Sequence, residues 1–156
     1  MKPHFEAFAA YNRWANERLY QMAADLRAED YRRDVGAFFG SLHGTLNHLL
    51  VTDRIWMRRL TGEGDAPDKL DAILFDDFEG LLDARRNEDQ RIIDFVAAQT
   101  DETLEQTVQY RTTGGTSHEQ KMREILAHLF NHQTHHRGQA HTCLLYTSDA
   151  ADELLG

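Results

Sequence analysis

The chain has 156 residues, of which 41% are hydrophobic and 28% charged, and its formal net charge is −9. This length suits one domain with one core, and the acidic balance argues against the basic surface that direct binding of nucleic acid or an anionic membrane requires. No apolar run approaches the roughly 20 residues that cross a bilayer, and the N-terminus is too polar for a signal peptide, so we expect a cytoplasmic protein. Cys143 is the single cysteine, which leaves histidines and carboxylates as ligands for any metal.

Two amphipathic helices are predicted in the first part of the chain. Apolar residues of the first recur at helical spacing: Phe5, Phe8, Ala15, Leu19, Met22 and Leu26. The second begins near Ser41, a favourable N-cap, and ends before the loop sequence TGEGDAP. Asp53 lies on the apolar stripe of this helix, which indicates either a carboxylate that orients an imidazole or, the interpretation we prefer, a structural partner of an arginine.

The rest of the chain contains two more predicted helices and a short extended segment. A third helix spans roughly Asp76 to Gln99, and a fourth begins near Glu119. Between them, β-favouring residues surround Gly114 and Gly115, which favours a small hairpin or a long loop. The sequence therefore predicts an all-α protein, an up-and-down four-helix bundle with a long loop or small hairpin between helices 3 and 4.

Five of the nine histidines lie in the segment HLFNHQTHHRGQAH of the last helix. At about 100° per residue, His136 points inward with the apolar stripe and His132 lies at its edge. The same rotation places His128 and His135 on the flank and His141 on the opposite side. Because His132 and His136 are four residues apart, both imidazoles can reach one metal ion from a straight helix.

A metal site needs a further ligand, and the second helix offers His43 and His48. His48 lies on one flank of the apolar stripe and His43 on the other. Rotation alone does not choose between them.

The segments FFGSLHGTLNHLLVTDRIWMRRLTG and HLFNHQTHHRGQ, with YNRWAN in the first helix, resemble the DinB family of bacterial damage-inducible proteins. The resemblance covers most of the chain and implies a DinB-like four-helix-bundle domain over residues 1–145, commonly a homodimer. Family members hold a divalent metal with three histidines, which correspond here to His48, His132 and His136. His43, His128 and His135 are then expected not to be ligands.

The resemblance also implies a function. Three histidines suit Zn, Ni, Fe or Mn, and leave room for a bound water or thiol. The resemblance implies a metal-dependent thiol S-transferase or hydrolase in stress or detoxification, which acts on a small molecule and for which a low-molecular-weight thiol is the candidate cofactor. The alternative is a non-catalytic, stress-induced metal-binding or dimeric interaction protein.

The end of the chain departs from the family pattern. Family members end in a Gly and Pro segment leading to LDL, whereas this chain ends CLLYTSDAADELLG. That ending resembles a translated sequencing adapter, so we interpret residues 143–156 as a candidate non-native tail. Leu144 and Leu145 still continue the apolar stripe, which predicts a helix running to about that point.

Overall fold

The computed structural model describes residues 1–147, with side chains as far as Leu145. Most of the candidate non-native tail, residues 148–156, lies outside the described residues. The described part is mostly helical, as expected, with one small antiparallel hairpin. Its elements are α1 (Lys2–Ala24), α2 (Ala28–Arg32), α3 (Leu42–Thr61), α4 (Phe78–Ala97), α5 (Asp101–Leu104), β1 (Thr107–Arg111), β2 (Ser117–Lys121) and α6 (Met122–Thr147).

Local sequence signals account for the ends of α3 and α4. The Ser41 side chain accepts a hydrogen bond from the Gly44 amide at 3.1 Å, which confirms the predicted N-cap of α3. That helix ends at Gly62, whose φ of 75° is the left-handed conformation that glycine adopts at little cost. Asp77 caps α4 in the same way as Ser41 caps α3, by accepting a hydrogen bond from the Gly80 amide at 2.7 Å.

The four long helices pack together, with α1 and α3 each lying against α4 and α6. Two apolar clusters form the core, one containing Leu19 and Leu46 and the other Phe5 and Met57. Along each long helix, buried polar residues fall between the two clusters. We call this set the polar layer; it consists of Asn16, Asp53, Arg85, Asp89 and Gln133.

The inner face of α1 is more polar than predicted. Phe8 and Met22, both expected in the core, are each 40% exposed, whereas Asn12 and Asn16 are each 1% exposed. The apolar pattern was right for Phe5 and Leu19, which are buried, but wrong for Phe8 and Met22, because α1 meets polar side chains of its neighbours as well as apolar ones. A buried amide is stable where it finds hydrogen-bond partners, and Asn16 donates to Asp89 at 3.0 Å.

The hairpin confirms the extended segment but corrects the start of the last helix. Strands β1 and β2 pair antiparallel, with Gln109 opposite Glu119, and Gly115 turns the chain with a φ of 87°. Glu119 was predicted to begin the helix, but it lies in a strand and α6 begins at Met122. The Met122 amide donates to the Gln106 carbonyl at 2.9 Å, which fixes the change from strand to helix.

Candidate metal centre

Three histidine side chains from α3 and α6 converge on one point. His48 is buried on α3, while His132 and His136 lie one turn apart on α6 with ring centroids 4.3 Å apart. The Nε2 atoms of His48 and His136 are 3.3 Å apart, and one ring nitrogen from each of the three histidines lies within 4.8 Å of the others. Two nitrogens that share a tetrahedral zinc ion are separated by about 3.4 Å, so this spacing fits a metal.

Hydrogen bonds to the other ring nitrogens determine where the lone pairs point. His48 Nδ1 lies 2.7 Å from the Leu70 carbonyl oxygen, which can only accept, so Nδ1 carries the hydrogen and Nε2 the lone pair. His136 Nδ1 donates in the same way to Gln139 Oε1 at 2.7 Å. The two Nε2 lone pairs therefore face each other, and a cation between them would relieve their repulsion. A histidine whose second nitrogen donates to an oxygen is the usual arrangement of a metal ligand.

The electrostatic environment keeps these imidazoles neutral. Burial lowers the pKa of His48 and of His136. Burial, with the nearby His136 and His48 rings, lowers the pKa of His132 to about 3. Neutral imidazoles are the form that binds metals, so all three are ready to coordinate near neutral pH.

An aromatic side chain from the loop before α3 covers one side of the group. The Phe39 ring stacks on the His48 ring, with centroids 3.8 Å apart and planes 18° apart, and meets the His136 ring edge-on at 5.6 Å. Gly44 allows this approach, because a β-carbon there would collide with the Phe39 carbonyl oxygen. The glycine of the HGTLNH segment thus brings the loop close enough to shield the histidines.

Asp53 belongs to the polar layer, as we preferred. It lies 2.5 Å from Arg85, which also contacts Asp89 at 2.8 Å. Gln133 donates to Asp53 at 2.5 Å and to the Leu49 carbonyl at 3.1 Å. Within the part of the chain that the structure describes, Asp53 makes no hydrogen bond to an imidazole.

The other histidines of α3 and α6 do not join this group. His43 is buried on the other flank of α3, where Nδ1 is 2.8 Å from the Tyr31 hydroxyl and Nε2 is 3.8 Å from Asp76. His128, His135 and His141 are exposed on α6. The structure thus brings together His48, His132 and His136 and places His43 apart from them. Helical rotation had not decided between His43 and His48.

Sequence reasoning missed three groups around the histidines. The Leu70 carbonyl could not be found from sequence, because a backbone oxygen in a loop has no residue-type signal. Phe39 is visible only as part of the FFG motif, which does not say where its ring lies. Gln139 could have been found, because a residue three positions after His136 lies on the same helical face.

The three-histidine group thus lies within a mostly helical chain, with His48 and His136 buried and His132 half-buried. The model of the DinB family matches residues 1–145. The chain belongs to the DinB family. It is similar to "Protein DinB" of Bacillus subtilis (strain 168), with 28% identity over an alignment of 137 positions that covers 82% of this chain and 77% of that protein. No helix in residues 1–147 is long and apolar enough to cross a membrane.

Proposed function

We propose that this DinB-family chain binds one divalent metal ion, Zn, Ni, Fe or Mn, through His48, His132 and His136. The observation that carries the proposal is the 3.3 Å separation of the Nε2 atoms of His48 and His136. In both rings Nδ1 carries the hydrogen and donates it to an oxygen, so each Nε2 presents a lone pair. Two facing lone pairs at this distance repel each other, and a cation between them would remove that repulsion. Three protein ligands leave at least one coordination position for a substrate group, as in catalytic metal sites.

The reaction we propose is metal-dependent thiol transfer or hydrolysis in stress or detoxification. When bound, such a metal lowers the pKa of a coordinated thiol or water toward neutrality. Among residues 1–147, no carboxylate joins the three histidines. Thiol transfer therefore fits better than hydrolysis, because a thiol needs less help from a protein base to lose its proton. Phe39 contributes by keeping bulk water from the His48 side of the group.

A second candidate function is non-catalytic: a stress-induced metal-binding or dimeric interaction protein. The observation that favours it is the exposed aromatic side chains of α1, with Phe8 40%, Tyr11 49% and Trp14 52% exposed. Apolar side chains grouped on one surface favour an interface, and we propose that this face meets a second copy of the chain in a homodimer. Both functions use the same metal site.

The finer features of the molecule complete the proposal. We infer an up-and-down order of the four long helices, which the packing of α1 and α3 against both α4 and α6 supports. We place the protein in the cytoplasm and expect its synthesis to rise after damage, which cell fractionation and transcript measurement would test. Residues 1–145 would form the domain by themselves, so removal of residues 146–156 should leave the unfolding transition unchanged.

Metal content is the direct test of the proposed centre. Protein purified without a metal-affinity tag should contain about one divalent ion per chain by elemental analysis, and His48→Ala and His136→Ala should both lose it. His141→Ala is the matched control, because this histidine is exposed on the same helix as His136 and should not affect the metal. Wild-type protein that is empty and takes up no Zn, Ni, Fe or Mn on titration would contradict the proposal.

A further inference from the structure

Three arginines line one pocket that lies beyond His48 along α3. The pocket has a volume of about 340 Å³ and lies between the last turns of α3, the loop after it and β1. Arg58 and Arg59 come from α3, and Arg111 comes from β1. We call this the arginine pocket. It concentrates positive charge in a chain whose net charge is −9.

In the part of the chain that the structure describes, the guanidinium groups of these arginines have no acidic partner. Within residues 1–147, none of the three lies within 4 Å of a carboxylate oxygen or donates a hydrogen bond. Asp68 also lines the pocket, which leaves an excess of two positive charges from three arginines and one carboxylate. The partial negative charge at the C-terminal end of α3 explains why Arg58 and Arg59 are favourable there. It does not explain Arg111, which lies on strand β1.

Aromatic side chains hold Arg59 in place. Its guanidinium lies 4.5 Å from the Trp56 ring centroid and 4.8 Å from that of Tyr110. Stacking uses the faces of the guanidinium and leaves its N–H edges available as donors. Arg59 is therefore pre-organised to bind an anion with little loss of side-chain entropy.

The arginine pocket and the histidine group share a helix and a loop. Ile55, which lines the pocket, lies on α3 between His48 and Arg59. The loop that lines the pocket at Asp68 reaches His48 two residues later, through the Leu70 carbonyl. On the α6 side, the His128 ring lies 5.3 Å from Trp56 and 5.8 Å from His132.

We propose that the arginine pocket binds the anionic group, a carboxylate or a phosphate, of a small molecule. Guanidinium groups recognise both anions through paired N–H donors. The proposal rests on the proposed function in one respect: the same molecule would extend along α3 to the three histidines, so the substrate class of that site is an anionic small molecule. The anion site itself requires no metal.

Fluorescence of Trp56 provides the test. The chain has two tryptophans, so a Trp14→Phe background leaves Trp56, in contact with Arg59, as the single reporter. Metal-free protein is titrated with inorganic phosphate and, separately, with succinate, and sodium chloride at matched ionic strength corrects for screening. We expect a saturable change in emission, accompanied by binding heat in calorimetry.

Substitutions assign the binding to the arginine pocket. The double variant Arg58→Gln with Arg111→Gln should lose at least about tenfold in affinity, because each removes a charged donor. Both side chains are exposed, so the fold should survive. The matched control is Arg54→Gln on the same helix, whose side chain stacks 5.5 Å from the Phe75 centroid outside the pocket and whose loss should leave affinity unchanged.

The outcomes separate the anion site from the metal centre. The tighter of phosphate and succinate identifies the anionic group that the pocket prefers. Emission and heat no larger than with sodium chloride would overturn the proposal, as would equal affinity in the double variant. Because the titrations use metal-free protein and are repeated in His48→Ala, failure of the metal centre leaves the anion result standing, and failure of the anion site leaves the metal result standing.

Discussion

At the scale of single residues, Gln139 controls the orientation of one proposed ligand. Its side-chain oxygen accepts the Nδ1 hydrogen of His136 at 2.7 Å. Loss of such an oxygen commonly weakens metal binding by about 10–100-fold, so we expect this decrease for Gln139→Leu in a competition assay with a zinc chelator. Gln139→Glu retains an acceptor and should keep most of the affinity. Equal affinity in wild type and Gln139→Leu would contradict a positioning role.

His43 links stability to pH without involving the proposed ligands. Burial lowers its pKa below 6.5, and the charge of Arg32 acts in the same direction while Asp76 opposes it. The Tyr31 hydroxyl lies 2.8 Å from His43 Nδ1. As the pH falls below 6.5, the unfolded chain binds a proton at His43 before the folded chain does, so the free energy of unfolding decreases.

The His43→Gln variant should therefore be less sensitive to acid. We expect a smaller fall in Tm between about pH 7.5 and about pH 5.5 than in wild type, measured on metal-free protein. His141→Gln, which removes an exposed imidazole from α6, should keep the wild-type slope. Parallel slopes for wild type and His43→Gln would show that His43 does not govern acid sensitivity.

Some residues around the histidine group could be predicted from the sequence and others could not. Helical rotation was enough to select His132 and His136, because both lie on one regular helix. His48 required the family resemblance, since α3 buries both His48 and His43, at 4% and 6% exposure. Phe39 and the Leu70 carbonyl lie in loops, where no periodicity indicates direction. Their positions depend on tertiary packing.

At the scale of elements, two helical glycines should respond in opposite ways to alanine. A β-carbon at Gly138 on α6 would meet no atom within 4 Å. Because alanine is favoured over glycine in a helix by about 1 kcal/mol, Gly138→Ala should raise the free energy of unfolding by about that amount in urea denaturation. A decrease would show that this surface of α6 is covered by something other than solvent.

Gly44→Ala is the matched opposite case in α3. The new methyl group would collide with the Phe39 carbonyl oxygen, so the loop must move despite the better helix propensity of alanine. We expect the free energy of unfolding to decrease by about 1–3 kcal/mol. We also expect zinc affinity to fall, because Phe39 would lose its stack on His48. A stable variant with unchanged affinity would contradict this account.

The elements themselves could be predicted where apolar spacing and caps agreed. Two signals predicted α3: Ser41 is a favourable N-cap, and the apolar residues that follow it recur at helical spacing. The start of α6 was misplaced because strand β2 consists of polar residues, SHEQK, which carry no apolar alternation. Its pairing with β1 supplies the hydrogen bonds that make it a strand, and that information is not local.

At the scale of the whole molecule, the polar layer connects all four long helices. Asn16 on α1, Asp53 on α3 and Gln133 on α6 meet Arg85 and Asp89 on α4 directly or through one another. Arg85 and Asp53 are each 1% exposed. Removal of one partner of a buried ion pair leaves an uncompensated charge, which costs about 3–5 kcal/mol.

Arg85→Met should therefore decrease the free energy of unfolding by about 3–5 kcal/mol in urea denaturation. Arg86→Met is the control, because Arg86 is the exposed neighbour on the same helix and its loss should change stability by less than about 0.5 kcal/mol. Replacement of Asp53, Arg85 and Asp89 together by apolar residues should recover much of the loss. Equal effects of Arg85→Met and Arg86→Met would contradict the role of the layer.

The proposed homodimer is also a property of the whole molecule. Tyr11→Glu with Trp14→Glu would place two charges on the exposed face of α1, where apolar contact with a second copy is expected. Analytical ultracentrifugation should show a dimer for wild type and a monomer for the double variant. As a control, Glu17→Gln changes an exposed charge on the same helix. A wild-type monomer at all concentrations tested would exclude this interface.

The polar layer also sets the relative heights of the helices. A slide of α6 against α3 by one turn, about 5.4 Å, would separate Gln133 from Asp53. The observed alignment, in which Gln133 contacts Asp53, is also the one that brings His132 and His136 level with His48. The polar layer thus fixes the height at which the histidines of α3 and α6 meet. The apolar clusters on either side are free to vary in sequence as long as their volume is preserved.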